Sequence, residues 1–262
     1  MKYSLFFKTD SLILCLLLFA GCILMVVFGK FIRNKYLRKD EAESKGGVNS
    51  LLGALFGLWG FLLAFTFGNS ATHFNNVRTT IAEESSIIRN TILRADVFSD
   101  SVRTLLRADL KKYLEARIDY YDYVRDFDRL NKAKEDARTA GKSLWATVVR
   151  ETSKPNMTAS TNNMFASLTA MFDIGARRDV MLLSGVPELI VYMLFVLALI
   201  ISFIGGFTTP VIRQKEWIVI AGFILLATTI IYITLDLGRP MRGVIKPNVG
   251  QDRMIELRKY FD

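Results

Sequence analysis

Four uninterrupted apolar stretches decide what this chain can fold into. They are Leu12–Gly29, Val48–Gly68, Leu189–Ile212 and Trp217–Leu235, and none contains Asp, Glu, Lys or Arg. Each is close to the ~20 residues that a helix needs to cross the hydrocarbon of a bilayer. Each is also bounded by charge, so the sequence predicts four membrane passes. Short loops join the first pass to the second and the third to the fourth. Between the second and third lie Ala71–Val186, polar, charged and patterned as helix. The expected class is an all-α integral membrane protein with four transmembrane helices and a helical soluble domain between passes two and three. The expected segments are residues 1–47 (first pass and basic loop), 48–70 (second pass), 71–186 (helical domain), 187–238 (passes three and four) and 239–262 (juxtamembrane tail).

Charge separates along the same boundaries. The formal net charge is +9, yet Ala71–Val186 carries 18 Lys/Arg and 15 Asp/Glu and contributes only +3. The remaining +6 lies beside the membrane passes. Lipid head groups, topology-setting loops and inorganic anions are the natural partners of such charge. No basic stripe with interleaved aromatics points to nucleic acid. The first pass is followed by Lys30, Arg33, Lys35, Arg38 and Lys39, and preceded only by Lys2 and Lys8. By the Lys/Arg bias of short loops this places the Lys30–Lys45 loop in the cytoplasm, with the middle domain extracytoplasmic. The run Phe19-Ala20-Gly21-Cys22 has the outline of a lipoprotein cleavage box. However, apolar residues continue through Phe28, so we read an uncleaved anchor. Cys15 and Cys22, seven apart, share one face of that helix and are read as packing residues.

Pass two does not end where the membrane does. Phe74, Val77, Ile81, Ile88, Ile92 and Ala95 keep helical spacing, and Glu84 interrupts them once. No Gly or Pro intervenes, so one helix of about 70 Å is expected from Asn49, with Asn49 or Ser50 as its cap, to Val97. Its apolar seam must face either the other helices of the middle domain or further copies of the chain. Ser99-Asp100-Ser101 caps a second helix, with Leu106, Leu110, Tyr113, Leu114, Ile118 and Tyr121 on one face. Asn131–Lys142 reads as a charged, solvent-exposed interval and Leu144–Val149 as a short helix. Met157–Leu183 is helical again, and Pro187 with Glu188 opens pass three.

Within pass two, Gly53, Gly57, Gly60, Ala64, Gly68 and Ala71 fall in a strip about 80° wide, at 100° per residue. Phe56 and Phe67 border it on one side, Phe61 and Phe65 on the other. Small residues at four-residue spacing let helices approach closely in lipid. The same strip could instead surround a pore axis in an oligomer, where an apolar constriction gates by dewetting. The candidate pore-lining set is Gly53, Phe56, Gly57, Gly60, Ala64 and Phe67. No ionisable residue lies at membrane depth, which disfavours a proton- or ion-coupled carrier. His73, the single histidine, has no companions for a metal site. Asp122, Asp126 and Asp128 are accompanied by Arg125 and Arg129, as on a wet, charge-paired helix face. No nucleophile elbow, phosphate loop or paired-His motif is present. We expect no enzyme activity, no metal and no cofactor.

Three stretches together resemble the bacterial bestrophin-like family: Leu51–Asn69 (LLGALFGLWGFLLAFTFGN) followed by Phe74 and Glu83-Glu84; Leu168–Pro187 (LTAMFDIGARRDVMLLSGVP); and Leu235–Ile245 (LDLGRPMRGVI). The resemblance implies kinship with pentameric anion channels whose second helix lines the pore, in a bacterial inner membrane. It also implies that Asp173, Arg177, Arg178, Asp236, Arg239 and Pro240 frame the membrane ends. The basic members of that frame, with Arg242, would either contact lipid phosphate and pair with Asp173 and Asp236, or form an anion-attracting vestibule. Acidic residues after the last pass are scattered (Asp236, Asp252, Glu256), unlike the dense calcium clasp of animal bestrophins. The leading functional expectation is a passive, anion-conducting homo-oligomeric channel. The alternative is a non-conducting membrane scaffold or sensor whose helical domain binds a partner.

Overall fold

The computed structural model describes residues 9–36, 45–123, 126–154, 158–183, 185, 187–209, 214–240 and 243–261. The helices are α1 (Ser11–Tyr36), α2 (Lys45–Ala95), α3 (Asp100–Asp122), α4 (Phe127–Glu151), α5 (Thr158–Leu183), α6 (Glu188–Thr208), α7 (Gln214–Leu237) and α8 (Asn248–Glu256), followed by a 3-10 turn at Leu257–Tyr260. No strand occurs among the described residues. Four helices, α1, α2, α6 and α7, are long and apolar enough to cross a membrane. The chain divides into two compact units. One is Met1–His73 with Gly185–Gly238, the other Phe74–Ser184 with Arg239–Asp262.

The first unit is built on α1. Cys15, Leu18, Cys22 and Val26 recur every three or four residues, so all four lie on one face, which is buried against α6 and α7. Neither cysteine forms a disulfide, and both are buried. Backbone proximity sets the α1–α6 crossing. A Cβ on Gly206 would overlap the carbonyl of Val26, and one on Gly29 would overlap the carbonyl of Phe203. Glycine at both positions brings the two backbones into contact, the usual means of associating helices where lipid offers no hydrophobic drive. Arg33 then closes the end of α6, its Nη1 donating to the carbonyls of Thr208 (2.7 Å) and Phe207 (3.2 Å). These are among the carbonyls that a helix end leaves without partners. On α2, Trp59 donates its indole N–H to the Leu194 carbonyl at 3.1 Å. The outward faces of α1, α6 and α7 carry large exposed side chains such as Leu16, Leu24, Val196, Val219 and Leu226, as a lipid-facing surface requires.

The second unit has its core along the later part of α2. Val77, Ile81, Ile88, Ile92 and Ala95 are all buried, together with Leu106, Leu110 and Leu114 of α3, Leu144 and Val148 of α4, and Leu168 and Met171 of α5. The seam is therefore covered by helices of its own chain, and its burial requires no second copy. Two expectations are corrected here. Asn131–Lys142 is not a solvent-exposed interval leading to a short helix, because α4 is one helix from Phe127 to Glu151. Its inner face is built from Leu130, Ala133, Ala137, Ala140, Gly141 and Leu144. Small residues bury little area but allow the helix to lie close to its neighbours. The second correction concerns starts and caps. Helix α2 begins at Lys45, ahead of both Asn49 and Ser50. Helix α3 does begin at Asp100, but Ser99 makes no side-chain cap bond. Asp126, instead of sharing a wet face with Asp122 and Asp128, caps α4 by accepting from the backbone N–H groups of Asp128 and Arg129, both at 3.2 Å. Arg125 lies outside the described residues. The segment after pass four also enters this core. Met254 and Leu257 are buried, and a Cβ on Gly250 would meet the Ile81 side chain at 2.9 Å.

Candidate functional site

The two faces of α2 within the first unit differ in kind. Trp59, Leu63 and Thr66 are buried on one side. On the other, Gly53, Gly57, Gly60, Ala64 and Gly68 are all exposed. A Cβ placed on any of the four glycines would meet no atom within 4 Å. Among the described residues no helix covers that strip. Phe61 is 68% exposed and Phe67 39% exposed at its borders. Phe56 is placed differently. It is half-buried and meets Phe223 of α7 edge-on, with ring centroids 5.4 Å apart. Composition makes the contrast informative. The outward faces of α1, α6 and α7 present large apolar side chains, whereas the open face of α2 combines a strip of glycine with exposed Leu51, Leu58, Phe61 and Phe65.

In the second unit, four charged side chains from three helices meet out of water. Glu84 of α2, fully buried, accepts from Arg117 Nε of α3 at 2.5 Å and from Arg178 Nη1 of α5 at 2.6 Å. Arg117 also donates to Asp179 at 2.9 Å and to the Gly175 carbonyl at 3.2 Å. Lys134 of α4 reaches the other Asp179 oxygen at 3.4 Å. The Tyr120 ring lies 5.0 Å from the Arg117 guanidinium and 5.8 Å from that of Arg178. Burial alone would raise the Glu84 pKa, but the two guanidiniums outweigh it and hold the carboxyl below its ordinary range. Arg117 is pushed the other way, burial lowering its pKa and Glu84, Tyr113 and Asp179 together more than compensating. Arg178 Nε and Nη2 are buried with no hydrogen-bond partner among the described residues.

The bestrophin-like domain family matches residues 15–246. The chain belongs to the bestrophin-like family. A crystal structure of a bacterial bestrophin homolog from Klebsiella pneumoniae, bearing one Trp-to-Ala substitution, is similar in fold, with a TM-score of 0.65 at 13% identity, covering 96% of this chain and 99% of that one. No curated protein matched the chain. As expected of a bestrophin-like protein, the chain is all-helical and membrane-embedded.

The juxtamembrane positions of this bestrophin-like chain do not form one set. Arg178 lies in the second unit's interior, paired with Glu84. Asp173 and Arg177 are exposed on α5, Asp236 is buried at the end of α7, and Arg239 is half-buried. Arg242 lies outside the described residues. Of the neighbouring Arg177-Arg178 pair, only Arg177 faces solvent. His73 is half-buried. The Glu84–Arg117 contact escaped the sequence reading, although its signal was present. A carboxylate inside an apolar seam needs a buried cation. Arg117 occupies the apolar face of α3, between Tyr113–Leu114 and Tyr121.

Proposed function

We propose that the protein is a passive ion channel conducting anions, assembled as a homo-oligomer with the glycine face of α2 around the axis. The observation that carries this reading is the bare strip of α2, which no helix among the described residues covers. A face of glycine gains little from lipid, because it offers no side chain to the acyl chains, and gains most where another backbone or a narrow water path lies against it. Membership of the bestrophin-like family supports the channel reading, and the pentamer follows by analogy with bestrophins. The anion preference rests on charge. The membrane stretches hold no carboxylate that would favour cations, and most of the chain's net +9 lies beside them. Gly53, Gly57, Gly60, Ala64 and Phe67 line the passage with Phe61 added. Phe56 supports the wall from behind through Phe223. Arg177, Arg239 and Arg242 supply positive potential near the membrane ends, and Arg178 with Glu84 holds the second unit together.

A scaffold that does not conduct would have the strip covered within one chain. Reconstitution into chloride-loaded liposomes tests the reading. Chloride efflux that rises with protein and exceeds the flux of a matched cation is expected. Vesicles as tight as protein-free controls, with the protein inserted, would overturn it.

A further inference from the structure

Apart from the membrane passage, the second unit contains a pocket of its own. It has a cavity volume of about 530 Å³ and lies among α3, α4 and α5, within the range that holds small organic ligands. Small residues, Ala137 and Gly141 of α4 and Gly175 and Ala176 of α5, are part of its lining. At Gly141 and Gly175 a Cβ would press on Phe172 and Tyr113, so glycine there lets the aromatic walls lie close to the helices. Aromatic surface forms the walls. Phe172 and Trp145 both line the cavity, and Trp145 is 42% exposed although its ring lies only 4.7 Å from that of Phe165. The open indole gives the cavity a flat aromatic surface available for contact.

The rim is basic by helical register. Lys134, Arg138 and Lys142 recur every four residues along α4, so all three stand at the same side of the pocket. The one carboxylate lining it, Asp179, is already engaged by Arg117 at 2.9 Å and Lys134 at 3.4 Å. Arg138 has only the exposed Glu135 at 3.5 Å, and Lys142 has no ion-pair partner among the described residues. The lining therefore carries more positive than negative charge beside an aromatic cavity. This pattern favours a ligand that is flat and apolar at one end and anionic at the other.

We propose that this pocket binds a small aromatic carboxylate, its ring against Trp145 and Phe172 and its acid group on Arg138 and Lys142. The proposal does not depend on conduction. It is tested by calorimetric titration of the full chain in nanodiscs with 1-naphthoate, using neutral 1-naphthamide to account for partition into lipid. Saturable binding of naphthoate, one per chain, is expected, with the amide roughly tenfold weaker or worse. The exposed double variant Arg138→Glu/Lys142→Glu should weaken naphthoate similarly, and Ala176→Trp, at an exposed position of the lining, should abolish binding by filling the space. Absence of saturable heat, equal binding of acid and amide, or indifference to both variants would overturn it. Cover of the pocket by another copy of the chain gives the first of these results. Unchanged far-UV circular dichroism separates a lost site from a lost fold.

Discussion

Replacing Glu84 by alanine removes the one anion that pairs with Arg178 among the described residues, while Arg117 retains Asp179. The consequence follows from burial. Arg178 is 0% exposed, so its charge cannot recover hydration without opening the unit. Breaking a buried pair from one side costs roughly 3–5 kcal/mol, because the remaining charge is left uncompensated. Glu84 is shared by two guanidiniums, so the upper part of that range is expected. For a chain of this size, 1 kcal/mol moves a melting midpoint by about 2–4 °C. A fall on the order of 10 °C or more should therefore appear in thermal unfolding of the detergent-solubilised protein. The double variant Glu84→Leu/Arg178→Met is the decisive companion. It removes both members of the pair, and replacing a buried ion pair by apolar residues is often close to neutral. It should recover much of the loss. A Glu84→Ala protein within about 3 °C of the parent, or a double variant as unstable as the single, would refute the claim that an uncompensated buried charge is the cause.

Acid should act on the same group. The folded state holds the Glu84 carboxyl below its ordinary range, so the unfolded chain takes up the proton first. The Glu84 contribution is then complete above the ordinary glutamate value of about 4.3 and is lost as the pH falls toward the lower folded value. Midpoints measured from neutral pH downward should hold until near that value and then drop, and Glu84→Gln should show a shallower acid decline. Gly206→Ala places a methyl against the Val26 carbonyl and should cost about 1–3 kcal/mol, whereas Gly57→Ala, with open space around it, should leave the midpoint within about 0.5 kcal/mol of the parent. Equal midpoints for the two variants would contradict the assignment of the α1–α6 contact. Arg239→Glu should lower chloride relative to cation permeability in bilayer recordings; an unchanged reversal potential would remove Arg239 from the conduction path.

The membrane passes were legible because bilayers exclude charge and the four stretches contain none. The continuity of α2 was legible for a related reason, the helical spacing from Val77 to Ala95, interrupted at Glu84 alone, with no glycine or proline. What covers that seam was not. The sequence allowed helices of the same chain or other copies, and α3, α4 and α5 turn out to supply the cover. Consequently the seam no longer argues for assembly, and that argument now rests on the bare glycine strip. Helix α4 was missed between Asn131 and Lys142 because its buried face is alanine and glycine, which hydrophobic patterning does not register. The role of Arg178 was hidden by its neighbour. Adjacent arginines on a helix point 100° apart, and only the fold decides that one enters the core while Arg177 stays outside. Phe56 and Phe61 border the same strip, yet α7 packs against Phe56 and leaves Phe61 open, a distinction made by a partner helix far away in sequence.

Cysteine accessibility along α2 tests the central claim most directly. Single cysteines at Gly57, Gly60 and Phe61 would be exposed in reconstituted protein to a water-soluble, negatively charged methanethiosulfonate reagent during chloride-flux recording. A parallel cysteine at Leu225 on the outward face of α7 serves as the comparison, the native Cys15 and Cys22 being buried. The account predicts rapid, irreversible block of flux for the three α2 positions and none at Leu225. Unmodified flux at all three, or a reaction no faster than at Leu225, would contradict it.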